Sequence, residues 1–98
     1  MGYQAIDPIL EDLALKHHVV VLRSDVEPWR RYFHISSAEG EVFQVVVEPE
    51  RDSVVRVDAH LIENWTNEEV HYIWESPIEH LGSLLPYVLT ALRAWFDR

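Results

Sequence analysis

Six histidines, four tryptophans and a large excess of acids are the residues of this chain whose chemistry could reach beyond packing. His17 and His18 are adjacent, so on a strand they would point to opposite faces and could not easily share one ion. His34, His60 and His71 are better placed, each on or near the polar side of an expected strand. An antiparallel register could bring two of them together beside Glu69 or Asp58. The chain has no H-E-x-x-H and no Cys/His ligand spacing, so the expectation is surface or partly buried histidine and no metal. Nucleophilic chemistry finds as little support. There is no cysteine, no G-x-S-x-G, and only Gly2, Gly40 and Gly82 to build a phosphate loop. Glu63, Glu68, Glu69 and Glu75 could supply a carboxylate pair for acid/base work, but acids clustered around a turn usually form a solvated rim. The expectation is a protein without catalytic activity or cofactor.

Recognition is better represented. Trp74 and Trp95 fall on apolar faces and are expected in the core. Trp29 follows Pro28, and Trp65 sits in the polar turn Asn64-Trp65-Thr66-Asn67, among Glu63, Glu68 and Glu69. A tryptophan there either folds back over the sheet end or anchors a partner, as aromatic hot spots ringed by charge do. The outward row Arg56, Asp58, His60 faces the same choice between a solvated face and a recognition face. Trp65, the three glutamates and this row are the candidate partner-binding residues.

Charge points the same way. Seventeen acids against eight Lys and Arg give a net charge of −9, which argues against holding nucleic acid through its phosphates. The excess lies mid-chain, where residues 39–79 hold eleven acids against Arg51 and Arg56. Lys16 is the only lysine.

The elements that must position these residues follow from periodicity. Asp7-Pro8 opens a helix with the apolar stripe Ile9, Leu10, Leu13 and Ala14, fading by Lys16-His17. Val19 to Leu22 is a β-branched run that predicts a strand covered on both faces. Residues 29–36 alternate, with Arg31, Phe33 and Ile35 on one face and Tyr32, His34 and Ser36 on the other. Residues 41–48 alternate through Phe43, Val45 and Val47. Pro49 to Asp52 predicts a turn led by proline. Residues 53–63 return with Val55, Val57, Ala59 and Leu61 inward, and residues 69–75 add a last strand with Val70, Tyr72 and Trp74 on one face. Ser76-Pro77-Ile78-Glu79 predicts a capping box, followed by a stripe at Ile78, Leu81, Leu85, Val88, Leu92 and Trp95. Pro86 predicts a kink or a restart after Gly82-Ser83.

The order is therefore α-β-β-β-β-β-α, an α+β fold in which an antiparallel sheet of about five strands lies with an N-terminal and a C-terminal helix. Its 98 residues, 48% of them apolar, suit one domain spanning 1–98. The longest apolar run, Val19 to Leu22, is far short of the ~20 residues of a membrane span. The opening residues Met1 to Asp7 show no signal-peptide pattern, so the expected location is cytoplasmic.

An acidic, cysteine-free chain with this architecture and no catalytic motif resembles bacterial immunity proteins, the partners of polymorphic and contact-dependent growth-inhibition toxins. No family motif is matched position by position, so no functional residue is carried over. The resemblance implies a mechanism in which an acidic patch docks a basic, nuclease-type toxin through electrostatic steering and blocks its active site. The expected assembly is a monomer or weak dimer. Two other classes stay open. Small secretion-type chaperones are acidic too, but commonly carry a helix between their third and fourth strands, where this chain has only Pro49 to Asp52. A small ligand-binding domain would need a pocket between sheet and final helix, with Tyr72, His34 and Tyr87 as the convergent polar groups.

Overall fold

Each strand finds its neighbour through a short turn, and both helices lie against the same side of the sheet that results. The computed structural model of the protein describes residues 2–26, 29–64 and 68–98. Helix α1 (Asp7–His17) is followed by strands β1 (Leu22–Arg23), β2 (Arg31–Ser36), β3 (Val42–Val47), β4 (Val54–Glu63) and β5 (His71–Pro77). A 3-10 turn (Ile78–His80) then leads into helix α2 (Leu81–Phe96). The strands form one antiparallel sheet in the order β1-β2-β3-β4-β5, so the α+β architecture with terminal helices is as the periodicity predicts. Among the described residues, no helix is long and apolar enough to cross a membrane.

Alternation decides which face is covered. Phe33 and Ile35 of β2, Phe43, Val45 and Val47 of β3, and Val55, Val57, Ala59 and Leu61 of β4 are all buried beneath the helices. From α2, Leu81, Leu85, Val88, Leu89 and Leu92 close the core, and α1 contributes Leu10 and Leu13. The centre of each predicted stripe is thus buried, while Ile9, Ala14, Ile78 and Trp95 at the margins are only partly so. Trp74 and Trp95 pack against this core but are only partly buried. Trp95 meets Phe43 edge-to-face at 5.2 Å between ring centroids.

Four local expectations are corrected. The run Val19 to Leu22 is not a doubly covered strand. Val19 is buried, Val20 is 71% exposed, and only Leu22–Arg23 reach the ladder, as a sheet edge. The chain leaves α1 through a left-handed His18 (φ 55°), which redirects it before pairing can begin. Ser76 is no helix cap, because it lies in β5 opposite Val55, and its hydroxyl donates to the Pro77 carbonyl at 2.8 Å. The ladder claims the serine before the helix can, and α2 starts only at Leu81. Pro86 lies inside α2, which runs from Leu81 to Phe96 with no restart after Gly82-Ser83.

The fourth correction concerns the β3–β4 turn, which centres on Asp52 and Ser53 rather than on Pro49. Both have positive φ, 53° and 65°, and Arg51 and Val54 exchange both backbone hydrogen bonds at 2.9 and 3.0 Å. This is the two-residue hairpin turn whose twist matches the strands, and it favours glycine where serine stands. Ser53→Gly is therefore expected to raise stability by about 0.5–1 kcal/mol, by removing left-handed strain. Urea unfolding checks it, and a lowered midpoint would contradict the turn assignment.

Candidate functional site

With both helices on one side, the other face of the sheet carries the outward residues of four strands. The register aligns them in rows across β2, β3, β4 and β5. His34, Gln44, His60 and His71 form one row, and Tyr32, Val46, Asp58 and Ile73 the next. Arg56 pairs with Glu75 in the row beyond, beside Glu48 at the end of β3.

The predicted row Arg56, Asp58, His60 does lie outward along β4, and Asp58 is its centre. Arg56 donates to Asp58 through Nε at 3.1 Å and through a terminal nitrogen at 3.2 Å. His71 Nε2 lies 2.9 Å from Asp58 Oδ1, the oxygen that the terminal nitrogen of Arg56 also reaches. The Asp58 hydrogen bond, reinforced by its charge, holds the Arg56 guanidinium above the usual arginine range. His60 stacks on His71 at 5.3 Å between centroids. Two of the three singled-out histidines are thus brought together beside Asp58, while His34 sits across β3 and packs edge-on to Tyr32. Among the described residues, no three His, Asp or Glu side chains converge in a way that could hold a metal ion. Arg30 closes the face by donating to Glu48 at 2.6 Å. Opposite charges here meet one another, and the face is close to neutral.

The acids collect elsewhere. In a meander, the β2–β3 and β4–β5 connections emerge at the same end of the sheet. Ser36 pairs with Val42, and Val42 with Glu63, which brings Glu39, Glu63, Glu68 and Glu69 to that end, all exposed. A register shift at Val42/Phe43 leaves Ile62 as the extra residue of β4, so a 44% exposed apolar side chain stands beside Glu63. Gly40, at φ 93°, supplies the turn that no side chain would favour. Glu41 is buried at this end, with Oε1 3.8 Å from Arg98 and Oε2 without a hydrogen-bond partner among the described residues. Arg98 stacks over the Trp95 ring at 3.5 Å, and with it the negative end of the α2 dipole arrives here too. Arg23, Arg30, Arg31, Arg51 and Arg56 all lie toward the opposite end.

Trp65 lies outside the described residues, in the connection between Asn64 and Glu68. The structure therefore brings Glu63, Glu68 and Glu69 together, and places Arg56, Asp58 and His60 further down the same strand. What the sequence reading missed is the partnership of this row with His71, Glu75, Glu48 and Arg30. Only the register reveals those partners, and no spacing within the chain encodes it. The pocket trio does not form. Tyr72 faces the helix side opposite Ala59, His34 lies on the bare face, and Tyr87 is 60% exposed on α2. A groove of about 500 Å³ lies instead between α1 and β1, lined largely by Leu10, Ala14 and residues 19–23. No protein-family model, curated protein or solved structure matches the chain.

Proposed function

We propose that this protein binds and neutralises a basic protein, a nuclease-type toxin domain, by docking it on the acidic end of the sheet, as an immunity protein does. The observation that carries the reading is the sorting of charge along the strands. The bare face pairs its own ions, and five of the seven arginines lie toward one end. The other end presents Glu39, Glu63, Glu68 and Glu69 around the connection that holds Trp65. Such a concentrated field steers a basic partner over a Debye length, and apolar side chains then decide how long it stays. Ile62 is an apolar group at hand there, Trp65 follows it by three residues in the chain, and the cytoplasm is where such a toxin would have to be met. The two-residue β3–β4 turn leaves no room for the helix that secretion-type chaperones commonly carry there.

Association with a basic, nuclease-type toxin domain, followed by stopped flow across about 50–300 mM salt, tests the proposal. Association should slow steeply as salt rises. Glu63→Gln, Glu68→Gln and Glu69→Gln combined should lower the rate about tenfold at low salt and flatten the salt dependence. Trp65→Ala should instead speed dissociation, by tenfold or more if the ring is an anchor, at ~1.4 kcal/mol per decade. Association indifferent to salt and to the three glutamates would overturn the reading.

A further inference from the structure

The two edges of the sheet are not alike. β1 is two residues long, an edge too short to recruit another strand, whereas β5 runs seven residues at the opposite border with no strand beyond it among those described. Its backbone orientation follows from two bonds. Leu61 N–H donates to the Val70 carbonyl at 3.0 Å, and Ile78 N–H to the Ser53 carbonyl at 2.8 Å. The register between them is continuous, so Tyr72, Trp74 and Ser76 direct their backbone groups to β4. His71, Ile73 and Glu75 direct theirs to the free edge. Pro77 shares that phase, so its missing N–H costs the β4 ladder nothing.

We infer that this edge pairs with the same edge of a second copy, antiparallel and twofold about Ile73, to give one continuous sheet across the dimer. The occupant is specified by self-complementarity. Centring the twofold on Ile73 sets His71 opposite Glu75, Tyr72 opposite Trp74, and Ile73 opposite itself. In that register the outward N–H groups of His71, Ile73 and Glu75 meet the outward carbonyls of Glu75, Ile73 and His71. Side chains agree with backbone. Ile73 is 49% and Tyr72 39% exposed, and each finds an apolar or aromatic counterpart. Glu75, which already faces Arg56 within its own chain, gains an imidazole on its other side.

The long-range field agrees as well. A parallel pairing would set the two acidic ends side by side. The antiparallel one lays the acidic end of one copy, where β5 begins, against the arginine-bearing end of the other, where β5 finishes. Two chains of net charge −9 thereby meet in the orientation that opposes them least. The inference rests on the backbone pattern of β5 and does not depend on the function proposed above.

Sedimentation velocity and amide exchange over a concentration series test it. The mass should rise from one chain toward two. The amides of His71, Ile73 and Glu75 should slow as it rises, while those of Tyr72 and Trp74, bonded to β4, stay protected throughout. Ile73→Lys puts like charges on the twofold axis and should weaken association about tenfold or more, with an unchanged circular dichroism spectrum. Because the chain has no cysteine, Ile73→Cys gives a check that does not depend on that variant. Paired residues of this kind stand about 5.5 Å apart between Cα atoms, within disulfide range, so mild oxidation should cross-link it. Leu15→Cys on α1, 79% exposed, should remain free of the cross-link under the same conditions. A single-chain mass up to millimolar concentration would overturn the inference. So would a dimer that survives Ile73→Lys, or protection that never reaches the three outward amides.

Discussion

Phe43→Ala should cost about 3–5 kcal/mol, enough to remove a large part of the stability of a domain this size. The side chain has no exposed surface, and it is the hub around which Trp95, Phe96 and Tyr72 arrange their rings at 5.2, 5.5 and 6.3 Å. Those three sit at the margin of the core and are partly exposed, so none can slide inward to fill the void without uncovering itself. Trp95→Ala should cost less despite the larger ring, because one side of that indole is already covered only by the Arg98 guanidinium. Chemical unfolding of the two variants side by side checks the order. A larger loss for Trp95→Ala would mean that α2 relies on its final turn more than on the sheet beneath it.

Arg31→Ala should be the most damaging of the charge deletions, at about 1.5–3 kcal/mol. Its guanidinium grips both oxygens of Asp7 at 2.9 and 3.1 Å, donates to the Trp29 carbonyl at 2.7 Å, and lies 4.2 Å over the Tyr3 ring. Only 12% of the side chain is exposed. Tyr3 in turn donates its hydroxyl to the Val47 carbonyl and accepts from the Arg31 N–H, and burial pushes its phenol up. One side chain therefore ties the N-terminal segment and the first turn of α1 to the arginine-bearing end of the sheet. Arg31→Lys should recover only a minor part of the loss, because an ammonium cannot fork across a carboxylate. Arg30→Ala, which breaks the more exposed pair with Glu48, should cost under about 1 kcal/mol. Equal losses at the two arginines would deny Arg31 this tying role.

How far the sequence could be read depended on whether a signal was local. The stripe Leu81, Leu85, Val88, Leu92 is periodic within one element, and the alternation of β2, β3 and β4 likewise needs no partner to be visible. The run from Val19 misled because β-branched residues register a preference for extended backbone without saying whether a neighbour is in reach. Ser76-Pro77-Ile78-Glu79 misled because a strand and a helix competed for the serine, and the strand had Val55 opposite. The acidic end was half legible. The glutamates stand in turns, as the sequence shows, but that two turns share one end follows only from the meander. His71 meeting Asp58 was one of several pairings the histidine positions allowed, and the β4–β5 register selected it.

A sheet whose spatial order repeats its chain order has a kinetic consequence. Every strand pairing closes over one short connection, so the sheet can zip up hairpin by hairpin with little loop-closure entropy at each step. Distant closures then bring Gly2 to Glu50, Asp7 to Arg31, α1 against α2, and α2 back onto Phe43. The N-terminal segment joins the sheet only through such distant contacts, as a latch on strands that pair locally. Its release would loosen the cover that Ile9 and Leu13 give Leu85, while leaving both hairpin turns and the acidic end intact.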